Sequence, residues 1–171
     1  MQITEEIIAS SKQCSDIIQQ AHIVGFSSSS GGKTYTGRES KSTWVSKETE
    51  GVKSIYDRIV ELTGVPFESQ TDLNVLRYDI GDFFRVHTDT NHNDEDIVRR
   101  YTSIIYLNDG YQGGQTHFPL LDYTIEPSMG KMIMWQNIDS RGELIKESAH
   151  ESLEVKSGRK YAAVIWSLTK P

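Results

Sequence analysis

With 171 residues the chain is the size of one ordinary domain, long enough to bury a sizeable core. A formal net charge of −6 and no dense Lys/Arg block argue against an extended phosphate-binding face, so nucleic acid is not an expected partner. No run approaches the roughly 18 apolar residues that span a bilayer, "MQITEEIIASSKQC" has neither the basic start nor the unbroken apolar core of a secretion signal, and the lone Cys14 excludes an internal disulfide. A soluble cytoplasmic protein without a membrane partner, monomeric or weakly dimeric, is expected.

Residues 10–23 place Cys14, Ile17, Ile18 and Ala21 on one side at helical spacing, with Ser10 or Ser11 available as N-cap. "SSSSGG", residues 27–32, predicts a loop too short to separate two domains. Residues 48–62 place Val52, Ile55, Tyr56, Ile59 and Leu62 on a second helical stripe, which Gly64 and Pro66 stop. From residue 72 the runs "LNVLRYDI", "DFFRVHTD", "YTSIIYLND", "GGQTHFP", "YTIEP", "KMIMWQNI" and "RKYAAVIWSL" are short, β-branched and aromatic, divided by Gly, Pro, Asn and Asp. The expected fold is mainly β with N-terminal helices (α+β): a jelly-roll core, or double-stranded β-helix, with helices packed on one face. One domain over 1–171 follows, with a helical support region at 1–66 and the jelly-roll core at 67–171.

Two motifs mimic known sites and fail. "SSSSGGKT" ends like a phosphate-binding loop, but the first glycine of that motif falls on Ser27 and "YTGRESKSTWV" has no apolar periodicity for the helix that must follow. "DTNHND" begins like a calcium loop, with Asp89, Asn91 and Asn93 alternating. Its sixth position is Asp94 where glycine is needed, and its twelfth is Arg100 where a glutamate must close the shell. Residues 90–96, His92 included, therefore read as a solvated acidic turn.

His87 and Asp89 differ from that turn because they end a strand-like run. Residues i and i+2 of an extended strand share a face, so imidazole and carboxylate can reach one ion. A third ligand has to come from His22, His117 or His150. His22 ends the first helix and reads as a polar cap, while His117 lies in a short strand and reads as a wall residue. His150 precedes a turn through Ser157 and Gly158 and an apolar strand, which can bring Lys160 into the same interior. Two histidines and a carboxylate leave half of an octahedral shell open, as in non-heme Fe(II) oxygenases.

At these residues the chain resembles the 2-oxoglutarate and Fe(II)-dependent dioxygenases, specifically the prolyl 4-hydroxylase group. "LRYDIGDFFRVHTD" is similar to the family block Y-x-x-G-x-x-aromatic-x-x-H-x-D, with Tyr78, Gly81, Phe84, His87 and Asp89 in register. "TSIIYLND" and "GGQTHFP" resemble its Y-L-N and G-G-x-T-x-F-P segments, and "EPSMGKMIMW" its P-x-x-G-x-hydrophobic strand. In "HESLEVKSGRKYAAVIW" the distal histidine, valine, glycine, lysine and tryptophan fall on His150, Val155, Gly158, Lys160 and Trp166.

The resemblance implies that His87, Asp89 and His150 hold Fe(II) and that Lys160 pairs with the distal carboxylate of 2-oxoglutarate. Tyr106 would contact the same end, Tyr78 the metal-side end, and Trp166 the cosubstrate or substrate. Dioxygen is the second cosubstrate and ascorbate a reductant; succinate and carbon dioxide are the coproducts. Arg159 competes with Lys160 for the anion but lies one residue out of register. The implied substrate is an exposed proline in a protein or peptide, hydroxylated at the 4-position, with Arg38 of "GRES" on the substrate side. Without a secretion signal or peptide-binding extra domain, collagen is disfavoured. Other C–H donors remain open, as do a noncatalytic metal-binding module on the same fold and a zinc hydrolase, for which no motif places a glutamate.

Overall fold

The computed structural model describes residues 1–29, 37–90 and 97–170. The acidic turn expected at 90–96 therefore lies almost wholly outside the described residues, His92 with it, as do Lys33 and Thr34 of the phosphate-loop mimic.

Helix α1 spans Ser11–Val24, and Ser10 caps it reciprocally: its Oγ accepts from Gln13 N at 3.2 Å while Gln13 Oε1 accepts from Ser10 N at 3.0 Å. Cys14, Ile17 and Ala21 turn inward as the spacing requires. Helix α2 spans Lys53–Thr63, a later start than its apolar stripe predicts. Gly51 adopts φ +88°, a left-handed conformation that no helix continues through, so residues 46–52 form turns and Val52 becomes the N-cap.

The strands are β1 (Ile3–Ile7), β2 (Ser27–Ser28), β3 (Arg38–Glu39), β4 (Lys41–Val45), β5 (Leu73–Tyr78), β6 (Phe83–His87), β7 (Val98–Tyr106), β8 (Gln112–Gly113), β9 (Thr116–Phe118), β10 (Tyr123–Ile125), β11 (Lys131–Gln136), β12 (His150–Ser152), β13 (Val155–Ser157) and β14 (Lys160–Thr169). A seven-stranded sheet runs β1-β11-β7-β14-β5-β4-β2, a five-stranded sheet runs β10-β9-β12-β6-β3, and β13 pairs with β8. All pairings among them are antiparallel. The region read as helical support also builds sheet: β1 pairs with β11 along one edge and β4 with β5. "ITEEI" and "KSTWV" are short and partly polar, so they carry no strand signal beyond a few residues.

Alternation sorts the core into two layers. Tyr161, Ala163 and Ile165 of β14 face one way, with Val75, Ile105 and Met134, to meet Ile17 of α1 and Ile59 of α2. Val164 and Trp166 face the other way, with Leu76 and Tyr78. Tyr106, Ile133 and Trp135 meet Phe118 and Ile125 of the smaller sheet. Because β14 is covered on both faces, its run "YAAVIW" is continuously apolar rather than alternating. Among the described residues no helix is long and apolar enough to cross a membrane.

Ile59 is completely buried at the helix–sheet seam whereas Ile7 is exposed at the sheet edge. Ile59→Ala is expected to cost about 2–5 kcal/mol in urea denaturation, and Ile7→Ala no more than about 0.5 kcal/mol. Equal losses would contradict this layering.

Candidate active site

Strands β6 and β12 pair so that His87 lies directly opposite His150. Asp89 follows two residues beyond the end of β6, turned inward. The three side chains converge, with one ligand atom from each within 4.8 Å of the others. His87 Nε2 is 3.5 Å from Asp89 Oδ1, and His150 Nε2 is 3.9 Å from Asp89 Oδ2.

The imidazoles are oriented from behind. His87 Nδ1 lies 2.8 Å from the Arg85 carbonyl and His150 Nδ1 2.9 Å from the Ser148 carbonyl. A carbonyl only accepts, so each Nδ1 carries a proton and each Nε2 is left to face the centre. Phe84 stacks on His87 with centroids 3.6 Å apart. Burial pushes His150 down to about 4, leaving it neutral at pH 7. Burial alone would raise the Asp89 carboxyl, but the positive charge that His150 and His87 carry when protonated, with hydrogen bonds from His87 and the Trp166 indole, outweighs it and holds the group below the usual carboxylate range. Its Oδ2 accepts from Thr102 Oγ1 at 2.8 Å and from Trp166 Nε1 at 3.0 Å. The result is two imidazole nitrogens and one carboxylate oxygen aimed at a single point, a donor set suited to a divalent transition metal.

His87, Asp89 and His150 line one cavity together with Tyr78, Thr116, Ser152, Lys160, Val164 and Trp166. Lys160 is 2% exposed; its Nζ donates to the Gly114 carbonyl at 2.6 Å and to Ser152 Oγ at 2.9 Å, and lies 4.8 Å from the Tyr78 ring centroid. Among the described residues no carboxylate pairs with it, and burial pulls it down to about 7. A buried cation without a counterion is costly unless an anion arrives. Gly114 allows this approach: at φ +65° an added Cβ would stand 3.0 Å from Lys160 Cδ.

Arg159 points away, its side chain 51% exposed and its Nε 2.6 Å from Asp79 Oδ1. Tyr78 lines the cavity, where burial raises its hydroxyl to about 12. Tyr106 is completely buried with its ring centroid 5.7 Å from Lys160 Nζ, and its hydroxyl donates to Thr116 Oγ1 at 2.7 Å, Thr116 being in the lining. Trp166 is in the lining but spends its N–H on Asp89. Arg38 also lines the cavity, over the Phe84 ring at 4.6 Å. His117 is a wall residue paired with Glu151 at 2.8 Å, and His22 is bonded to the Tyr161 hydroxyl at 2.9 Å rather than capping α1. Sequence reasoning passed over Thr116, although it is the threonine of the quoted G-G-x-T-x-F-P segment. Ser152 and Thr102 carried no signal at all.

The family pattern of the 2OG-Fe(II) oxygenase superfamily matches residues 73–168. A putative prolyl 4-hydroxylase of Acanthamoeba polyphaga mimivirus is 28% identical over 165 residues, 90% of this chain and 68% of that protein. Prolyl 4-hydroxylase subunit alpha-1 of Rattus norvegicus is 31% identical over 138 residues, 75% of this chain but only 26% of that protein. Among solved structures, the viral collagen prolyl hydroxylase of Paramecium Bursaria Chlorella virus-1, in its 2OG complex, superposes with a TM-score of 0.79 at 27% identity, covering 97% of this chain and 94% of that one.

The depressed Lys160 has a measurable sign. Between pH 7 and the ordinary lysine range the unfolded chain holds a proton that the folded one lacks, so stability of the metal-free protein should rise with pH across that window and be independent of this group below it. Urea titrations from pH 7 to 9 should show that slope, and Lys160→Met should flatten it.

Proposed function

Because the chain belongs to the 2OG-Fe(II) oxygenase superfamily, and is thus a 2-oxoglutarate-dependent dioxygenase, we propose that it hydroxylates carbon 4 of a proline within a peptide, releasing succinate and carbon dioxide. The observation that carries this reading is one cavity with a three-ligand cluster and an uncompensated buried lysine in its lining. A noncatalytic metal-binding module would leave the burial of Lys160 without a purpose.

In this reading His87 Nε2, Asp89 and His150 Nε2 hold Fe(II). Lys160 takes the distal carboxylate of 2-oxoglutarate beside Thr116, which Tyr106 orients, and Tyr78 closes the wall. A charge-assisted pair in a dry cavity gives the cosubstrate one orientation. Fe(II) with 2-oxoglutarate and dioxygen supplies the oxidising chemistry; the chain supplies position and excludes water. Ascorbate serves as reductant of the iron.

The substrate side is assigned to the part of the lining that holds Arg38 and Asn74. Arg38 Nη2 and Asn74 Oδ1 are buried without a hydrogen-bond partner, a donor and an acceptor that the N–H and C=O of an extended peptide can satisfy. Trp44, half exposed on the neighbouring strand, lies 6.1 Å from Trp166 and offers an apolar ring face beside them. The Chlorella-virus structure, which this chain covers to 94%, favours a compact single-domain enzyme, and we assign it as a monomer or weak dimer. We place it in the cytoplasm, where the buried Cys14 thiol stays reduced.

Succinate release and intact-mass shifts test the reading on a panel that includes collagen-like repeats and unrelated proline-containing peptides, each with a proline-to-alanine control. One added oxygen on proline is expected, with basic peptides captured faster at low salt by the net charge of −6. Oxygen gained on another side chain while every proline stays untouched would sink the substrate assignment. His87→Ala or His150→Ala should abolish turnover. Lys160→Ala should weaken 2-oxoglutarate use by about 3–5 kcal/mol, the cost of breaking a buried charge pair, whereas Arg159→Ala should leave it nearly unchanged.

A further inference from the structure

Behind the three-ligand cluster lies a chain of buried polar side chains that the reaction does not use. We infer that Thr102 and Asn137 are positioning residues that aim Asp89 and brace His150 for metal binding; the inference rests on the metal site proposed above.

The chain has a direction, and the direction is forced from its far end. An indole N–H can only donate, and Trp135 Nε1 donates to Asn137 Oδ1 at 2.9 Å. That contact decides which end of the Asn137 amide faces which neighbour. Its Nδ2 must then be the end at 2.8 Å from Thr102 Oγ1, and it also donates to the Arg99 carbonyl at 3.2 Å. With a lone pair of Oγ1 occupied, the single hydroxyl hydrogen of Thr102 is directed to Asp89 Oδ2 at 2.8 Å. From Trp135 through Asn137 to Thr102, each link of the chain donates toward the carboxylate.

The consequence falls on both ligands. A carboxylate torsion is broad and two-fold, so nothing intrinsic to Asp89 selects which oxygen faces the metal. Thr102 and Trp166 together engage Oδ2, which leaves Oδ1 toward His87. The same Trp135 that starts the chain lies against His150, with ring centroids 4.6 Å apart at 63°, so the bond from Trp135 to Asn137 also fixes the wall that His150 rests on. Asn137 is anchored in turn by its backbone, N to the Arg100 carbonyl at 2.8 Å and O from Ile145 N at 2.9 Å. Thr102 and Asn137 are both completely buried, so water cannot replace a lost partner.

Three variants separate positioning from plain packing. Thr102→Val keeps the shape and deletes the donor, while Thr102→Ser restores it. Asn137→Asp is close to isosteric but puts an acceptor where Thr102 needs a donor, drawing the hydroxyl hydrogen away from Asp89. Each purified protein is titrated with Co(II) alone, followed by visible absorption and calorimetry, and its metal-free thermal transition is recorded. Thr102→Val and Asn137→Asp are expected to bind Co(II) 10–100-fold more weakly, with Thr102→Ser close to wild type. Folded Thr102→Val and Asn137→Asp proteins that bind Co(II) as tightly as wild type would overturn the inference alone, provided His87→Ala abolishes binding. A wild-type protein that takes up no Co(II) would overturn the metal reading and this inference with it.

Discussion

The pairing of β6 with β12 is the constraint on which the site depends. It sets His87 opposite His150 at the end of the smaller sheet, and since side chains alternate at a period of two, a slip of one residue would turn one imidazole out of the cavity. The register is held on the far side by β9, which pairs with β12 through Glu151 and Ser152. It is held again where His87 and His150 give their Nδ1 protons to carbonyls two residues back. Asp89 needs no strand of its own, because the turn after His87 carries it to hydroxyl and indole donors on the opposite sheet.

Lys160 is the second fixed point, and it belongs to the larger sheet. It opens β14 on the same face as Ala162, Val164 and Trp166, so the strand that carries the cation in the cavity also carries the indole that holds Asp89. One rigid element therefore sets the separation between Lys160 and the three-ligand cluster. The price in stability is a lysine held near neutrality without a counterion. Its hydrogen bonds to the Gly114 carbonyl and Ser152 Oγ offset only part of that cost, and an anion would offset more. Arg159, one residue earlier, faces outward to Asp79 for the same reason of alternation.

Buried polar atoms divide the cavity lining by purpose. Those that already have partners, such as Thr116 and Ser152, support the side chains around them. Those without partners, Arg38 Nη2 and Asn74 Oδ1, await one.

Much of this was legible in the sequence. Local periodicity determined α1, most of α2 and the β character of the second half, because those elements are long or strongly patterned. The H-x-D spacing and the separate blocks around His150 and Lys160 determined the family and the ligand set, because each block keeps its internal spacing whatever packs around it. Tertiary structure alone decided the rest. β1 and β4 became strands by pairing with β11 and β5, partners that no short polar segment announces. The Tyr106 hydroxyl found Thr116 as its partner because a buried hydroxyl takes the acceptor within reach. Thr102 and Asn137, ordinary polar residues in a strand and a loop, gained their place only when folding enclosed them with Trp135 and Asp89. A hydrogen-bond chain is a property of who is buried beside whom, and the linear sequence does not contain that relation.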